Sequence, residues 1–344
     1  MAKVQRIASK LAWSVKRQAA FGTRCDGTDL TKFTKLADPI IIKEDVSMWT
    51  DQGMIGKGYN WETQRGIQRS MVRLDIPVQP LSIDFMGYLI AATFNVVSTV
   101  DNTNYYTHTC KFSPLATTPA MLPFSLAINE DGNEKSVIDC TVTSLTIRGQ
   151  GDGRVEMGAS IIASQLADDL ADYTWPTAED ARYIYNYAGT ATSTALGDIK
   201  AQLRSWELTV DTGVDIDGAF RGTTTEALRR YSQVWTRTGA EGMNLTYSIE
   251  AESGDLATLR AAKSAATAEA TSIGCVGLKI GATAGYDTIT VAVPVGVIAD
   301  VEESFSNGLQ VLDVTVGGQY QAAATGPLTV VTVNDEASYF AADS

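Results

Sequence analysis

The chain has 344 residues, 44% of them apolar and 19% charged, and a formal net charge of −13. At ~150 residues per domain this suggests about two domains, large enough to fold without disulfide or metal staples. No run of ~18 apolar residues offers a membrane-spanning helix, and so acidic a chain is ill suited to gripping phosphates.

The charge is uneven. Residues 1–24 carry Lys3, Arg6, Lys10, Lys16, Arg17 and Arg24 and no acid, a local +6 that leaves −19 on the remainder. Such an arm either docks on the acidic surface of a neighbouring copy, through Lys10, Lys16 and Arg17, or is a solvated terminal segment. It lacks the 7–15-residue apolar core of a secretory signal, so no export is expected.

Beyond the arm, alternation with a period near two marks strands rich in Val, Ile, Thr, Tyr and Phe. In chain order they are Ile40–Met48, Met71–Val78, Tyr105–Phe112, Phe124–Ile128, Val137–Ile147 and Val155–Ile161. After them come Leu203–Val210, Leu245–Ile249, Val276–Ile280, Thr288–Val293, Val297–Phe305 and Leu309–Val316. Asn307-Gly308 is a type I′ hairpin signal, and Gly149–Gly153 links another hairpin. Two stretches read as helix, one after Ser82 and one after Ser253. Each serine stands where an N-cap is wanted, and Asp84 or Asp255 falls near the positive helix end.

The order strand, loop, strand, helix and four strands occurs twice. It predicts a mainly β fold of tandem β-sandwiches or open barrels, each with one flanking helix, over 25–170 and 201–344. Ala171–Lys200, with the low-complexity run Gly189–Gly197, reads as a linker.

Little here carries chemistry. His108 is the only histidine and lies mid-strand without a nucleophile turn, so a hydrolytic triad has no centre. Cys25, Cys110, Cys140 and Cys275 lack metal-ligand spacing and read as buried thiols of a reducing cytoplasm. Asp211–Gly218 approaches a calcium loop but puts Gly213 at its first ligand position and Thr224 at its last, so a solvated acidic loop is expected. No enzyme, cofactor or metal is expected. Two long hairpins, around 136–161 and 297–321, present alternating polar and apolar faces and open edges, which serve as pairing templates or simply belong to the sandwich.

The sequence resembles the major tail tube proteins of long-tailed bacteriophages. The likeness rests on Arg17-Gln-Ala-Ala-Phe-Gly-Thr23, Pro80-Leu-Ser-Ile-Asp-Phe-Met86, Tyr105-Tyr-Thr-His-Thr-Cys110 and Ile138-Asp-Cys-Thr-Val-Thr-Ser-Leu-Thr-Ile147. In the second half it rests on Leu203-Arg-Ser-Trp-Glu-Leu-Thr-Val210 and Gly326-Pro-Leu-Thr-Val-Val331. It covers nearly the whole chain and depends on element order more than on any single motif.

The resemblance implies a virion protein, assembled in the bacterial cytoplasm into stacked rings that form a genome conduit. It implies tape-measure, tail-terminator and tail-tip proteins as partners, and double-stranded DNA that passes without specific binding. Carried onto this sequence, the lumen hairpins are those around Asp139–Ser160 and Asp300–Gln319. Their lumen-facing residues would be Glu156, Ser160, Asp300, Glu302 and Asp313. The ring-stacking loops are Gly53–Gly66, with Tyr59 and Trp61, and Thr212–Gly242, with Phe220, Tyr231 and Trp235. Many family members have one such fold and form rings of six. Two copies per chain imply homotrimeric rings of about 24 strands, roughly 45–50 Å across at the backbone, against hexameric rings as the alternative. An acidic wall would serve DNA sliding, or the acidity serves solubility. The competing reading is an Ig-like adhesion or virion-decoration module built from similar strands.

Overall fold

A computed structural model describes residues 8–14, 16–18, 23–50, 54–55, 59–60, 65–94, 96–111, 123–130, 133–151, 153–167, 170, 173–176, 182–186, 188–220, 231–235, 243–279, 286–319 and 326–340. They form a mainly antiparallel β fold with two helices. The chain begins with β1 (Ala8–Trp13), β2 (Lys32–Lys35), β3 (Ile41–Thr50), β4 (Met54–Ile55), β5 (Tyr59–Asn60), β6 (Arg65–Pro80) and helix α1 (Ile83–Thr93). Next come β7 (Val96–Asp101), β8 (Tyr106–Lys111), β9 (Phe124–Glu130), β10 (Asn133–Gln150), β11 (Glu156–Ala163) and β12 (Gln165–Ala167). Then follow β13 (Ala188–Ser193), β14 (Gly197–Asp198), β15 (Leu203–Asp211), β16 (Val214–Phe220), β17 (Tyr231–Trp235), β18 (Met243–Glu250) and α2 (Asp255–Ser264). The chain closes with β19 (Glu269–Lys279), β20 (Tyr286–Ser306), β21 (Leu309–Gly318) and β22 (Thr329–Asn334).

The central feature is an eight-strand antiparallel sheet in the order β3-β6-β11-β10-β15-β18-β21-β20. Its alternating residues sort largely by face, as the pleat requires. Leu74, Ile76, Leu145, Ile147, Leu208, Leu245, Tyr247, Val314 and Val316 are buried on one face. One continuous cluster of buried apolar side chains runs from Leu11 to Phe340, so residues 25–170 and 201–344 share a core.

The long strands β10 and β20 leave this sheet and continue into side layers. The first part of β10 pairs with β9 and β12, and β9 pairs in turn with β1. The first part of β20 pairs with β19 and β22, and β19 pairs in turn with β13. The β7–β8 hairpin from the first half lies against β22 of the second.

The two helices differ sharply in burial. Every residue of α1 is buried, with Trp13, Phe124 and Phe340 packed on its Phe85 and Tyr88. In α2 only Leu259 is buried, and Lys263 and Arg260 reach Asp300 and Glu303 on β20 at 2.5 and 3.5 Å. Ser82 occupies the expected N-cap of α1, although its hydroxyl makes no capping bond. At α2 the cap is Gly254 rather than Ser253, because the position adopts φ 100°, a conformation that favours glycine.

Two stretches differ from expectation. The basic segment 1–24 contributes β1, held between β2 and β9, with Leu11 and Trp13 fully buried. Its consecutive apolar residues Leu11, Ala12 and Trp13, buried on both faces of the strand, and not its charge, decide its place. Lys10 lies 5.9 Å over the Trp175 ring, Lys16 pairs with Asp29 at 2.8 Å, and Arg17 is half-buried.

The 171–200 segment, expected as a linker, supplies β13 and β14 with Ala191 and Ile199 buried. Its Arg182 also reaches Asp84 at the start of α1, Asp287 on β20 and Asp335, at 2.7, 3.5 and 2.6 Å. Small residues that look featureless in sequence are what a tightly paired inner strand accepts: a Cβ at Gly189 would meet Val276 at 2.8 Å.

Candidate assembly surface

The second face of the eight-strand sheet is polar. Glu156 lies opposite Arg148, Arg148 opposite Glu207, Glu207 opposite Thr246, and Thr246 opposite Thr315. A parallel row runs from Gln150 through Ser205, Ser248 and Asp313 to Glu302. A third joins Asp75, Ser160, Ser144 and Asp211. Of the residues expected to line a lumen, Glu156, Ser160, Glu302 and Asp313 therefore share one face.

Asp300 sits in that register opposite Thr315, but its carboxylate turns to Lys263 of α2. The hydrogen bond from Lys263 and a second from the Val301 amide hold it below the usual carboxylate range.

Cross-strand pairs lace the face together. Arg148 Nε donates to Glu156 Oε2 at 2.7 Å, Ser160 Oγ donates to Asp75 Oδ1 at 2.8 Å, and Thr246 and Thr315 hydroxyls lie 3.2 Å apart. Such pairs stabilise by roughly 0.2–1 kcal/mol each. Among the charged residues of these rows carboxylates outnumber cations six to one, a balance that repels polyanions.

The sheet ends in two edges. Among the described residues, β3 pairs only with β6, and the stretch 297–306 of β20 pairs only with β21. Sequence alternation located both strands but not the edges. These depend on which neighbours each strand finds, and Lys43 and Ile41 on β3 therefore escaped notice. Ile41 is 50% exposed, as is Leu309, while Phe305 is 74% exposed at the β20–β21 tip. The turn there is Asn307-Gly308, with φ 53° and 83°, as the type I′ signal requires.

The expected stacking loops lie in the chain between β3 and β6 and between β15 and β18. Tyr59 is a strand position on β5, opposite Ile55. Phe220 and Tyr231 are opposite positions on β16 and β17, and Trp235 is opposite Val214. Trp61 lies outside the described residues, as does much of 53–66 and 212–242. At the approximate calcium loop, Asp211 Oδ1 instead accepts the Gly213 amide at 2.9 Å.

His108 lies buried on β8. Its Nε2 is 3.1 Å from Asn334 Oδ1 and 2.9 Å from the Glu336 carbonyl, and its Nδ1 is 2.9 Å from Thr99 Oγ1. Burial lowers its pKa, partly opposed by the bond to the Glu336 carbonyl. All four cysteines are buried free thiols, and burial raises Cys110 and Cys275 to about 12. Among the described residues no group of three or more His, Cys, Asp or Glu is placed to hold a metal ion.

No protein-family model matches the chain, and no curated protein sequence matches it.

Proposed function

We propose that the chain is a non-enzymatic structural subunit that joins copies of itself into rings. The rings stack into a tube that conveys double-stranded DNA, as in the tail of a long-tailed bacteriophage. The observation carrying this reading is the eight-strand sheet: apolar on one face, polar and acid-rich on the other, and, among the described residues, unpaired at both ends. A sheet with two long open edges is a template for further strands.

On this reading the two halves are tandem copies of one fold, each giving four strands to the tube wall. Three chains then supply about 24 strands, a bore wide enough for a duplex. The polar face lines the bore, where an acidic surface avoids the drag that phosphate-binding cations would impose. The hairpin ends at β4–β5 and β16–β17 contact the next ring. A tape-measure protein inside the bore and terminator and tip proteins at its ends complete the tail, and the assembled protein resides in the virion.

Negative-stain imaging of the purified chain over a concentration series, with reconstruction free of imposed symmetry, tests the proposal. Tubes or stacked rings of three chains are expected. Six chains per ring would refute the trimer, and isolated particles at every concentration would refute self-assembly.

A further inference from the structure

Three irregularities of strand pairing recur at matched places in the two halves. On β10 an extra residue falls between Val137 and Cys140 against β9, and another between Val142 and Ser144 against β11. On β20 extra residues fall between Val293 and Gly296 against β19, and between Ile298 and Asp300 against β21. The spacing is the same in both strands. β1 and β13 agree likewise, with an extra residue between Ala8 and Lys10 in one and between Ala188 and Thr190 in the other. Bulges are positional features of a fold, so their coincidence aligns the halves residue by residue.

In that alignment Ser144 corresponds to Asp300, and the second part of β10 to the second part of β20. Ser160 corresponds to Thr315, the residues opposite them. Ala159 then matches Val314, and their partners Ile76 and Tyr247 match on β6 and β18. One strand further, Ile42 on β3 matches Leu208 on β15, since they face Leu74 and Leu245. Each half thus presents four strands in the same order, and one junction, β10 to β15, joins them inside the chain. There Thr146 faces Thr209, Ile147 faces Leu208, Arg148 faces Glu207 and Gly149 faces Trp206. The open edges of β20 and β3 are the counterparts of those two joined strands.

We propose that a second copy of this chain adds its β3 to the free edge of β20, antiparallel and in the register of the β10–β15 junction. This rests on the self-assembly reading and specifies its contact. The register places Glu302 opposite the neighbour's Lys43, Phe305 opposite its Ile40 and Ser304 opposite its Ile41. The contact replaces the internal Arg148–Glu207 pair with a Glu302–Lys43 pair two positions along the same face. It covers Phe305 and Ile41, which a lone chain leaves exposed. The internal junction sets a large Trp206 against Gly149, whereas the new one sets Phe305 beside Ile40. Because each chain uses one edge of each kind, the contact is head-to-tail, the type that builds a ring when its rotation closes.

Cysteine cross-linking in the full chain tests the register. Residues directly opposite on antiparallel strands have Cβ atoms about 4.5–5.5 Å apart, close enough to bridge with little adjustment. Glu302→Cys combined with Lys43→Cys should give a ladder of covalent multimers on mild oxidation. Glu302→Cys with Glu44→Cys, shifted by one residue onto the opposite face, should give none. The native thiols are buried and contribute little background. A charge test runs beside it: Glu302→Lys should raise the concentration needed for assembly by about tenfold, and adding Lys43→Glu should restore it.

A ladder from the aligned pair alone supports the proposal. Assembly with a ladder from the shifted pair, or from neither, overturns the register and leaves the self-assembly reading standing. An unmodified chain that sediments as a monomer at all concentrations overturns both.

Discussion

Gln18 and Asp139, 121 positions apart, exchange two hydrogen bonds in the interior of the fold. The Asp139 amide donates to Gln18 Oε1 at 2.8 Å, and Gln18 Nε2 donates to Asp139 Oδ1 at 2.7 Å. Ser125 Oγ also donates to Gln18 Oε1, and Ser164 Oγ to Asp139 Oδ2. Asp139 has φ 58°, and it sits where β10 passes from the side layer into the eight-strand sheet. The left-handed conformation is one that Asp tolerates better than most residues, and the buried amide of Gln18 holds it there.

Gln18→Leu should therefore destabilise the fold by ~2–4 kcal/mol, because it strands the Asp139 amide and the Ser125 hydroxyl without a buried partner. The exposed Lys16–Asp29 pair is a useful contrast: Lys16→Ala should cost under ~1 kcal/mol. Urea midpoints at unchanged slope give both values, and equal effects would discount the clamp.

Trp13 provides a second test, because the N-terminal basic segment is also a core strand. Trp13→Ala should cost ~3–5 kcal/mol by leaving a cavity beside Phe85 and Tyr88. Deleting residues 2–16 should abolish the native near-ultraviolet circular dichroism signal. A truncated chain that keeps the signal and melting temperature would show that β1 is dispensable.

His108 predicts a pH dependence with a definite sign. Two oxygens flank Nε2, so the neutral ring carries its proton there and accepts from Thr99 at Nδ1. Burial lowers the folded pKa below 6.5, while the unfolded chain takes up its proton near 6.5. The folded state thus binds fewer protons across that interval. Stability is fully present above pH ~6.5 and falls as pH drops toward the folded pKa, by at most ~1.4 kcal/mol per pH unit. His108→Gln should remove this component. Denaturation of the two proteins from pH 7.5 to 5 should therefore show converging stabilities, and parallel curves would contradict the assignment.

The proposed ring stacking can be tested at Trp61 and Trp235. If the segments 53–66 and 212–242 make that contact, Trp61→Ala or Trp235→Ala should weaken elongation by about 2 kcal/mol or more, the size expected at an interface hot spot. The thermal unfolding of the dissociated subunit should stay near wild type. A variant that loses subunit stability instead would assign its tryptophan to folding rather than to stacking.

Local features of this fold were legible in the residue order because they are decided within a few residues. The alternation of Leu203–Val210 and Leu245–Ile249 fixed strands and buried faces. Asn307-Gly308 fixed a turn that only small or tolerant residues enter, and the apolar run after Ser82 fixed a helix. Placing Glu156, Ser160, Glu302 and Asp313 together required pairing partners that no local pattern names. Thr288–Val293 and Val297–Phe305 looked like separate strands because Pro294-Val-Gly296 reads locally as a break. In the structure that tripeptide is a bulge inside one strand, β20.

What the sequence determined by itself is the two helices, most of the strands of the central sheet and the face each of these turns inward, since these follow from side-chain periodicity over a few residues. Only the tertiary structure decided which strand lies beside which. It made β1 and β13 inner strands of the side layers, set β10 against β15, and left β3 and the second part of β20 as edges. Those outcomes depend on backbone hydrogen bonds and packing between residues far apart in the chain, and backbone donors and acceptors are the same in every strand. The choice of partner is therefore made by the fit of whole faces and by the register of bulges, which appear only when the chain is folded.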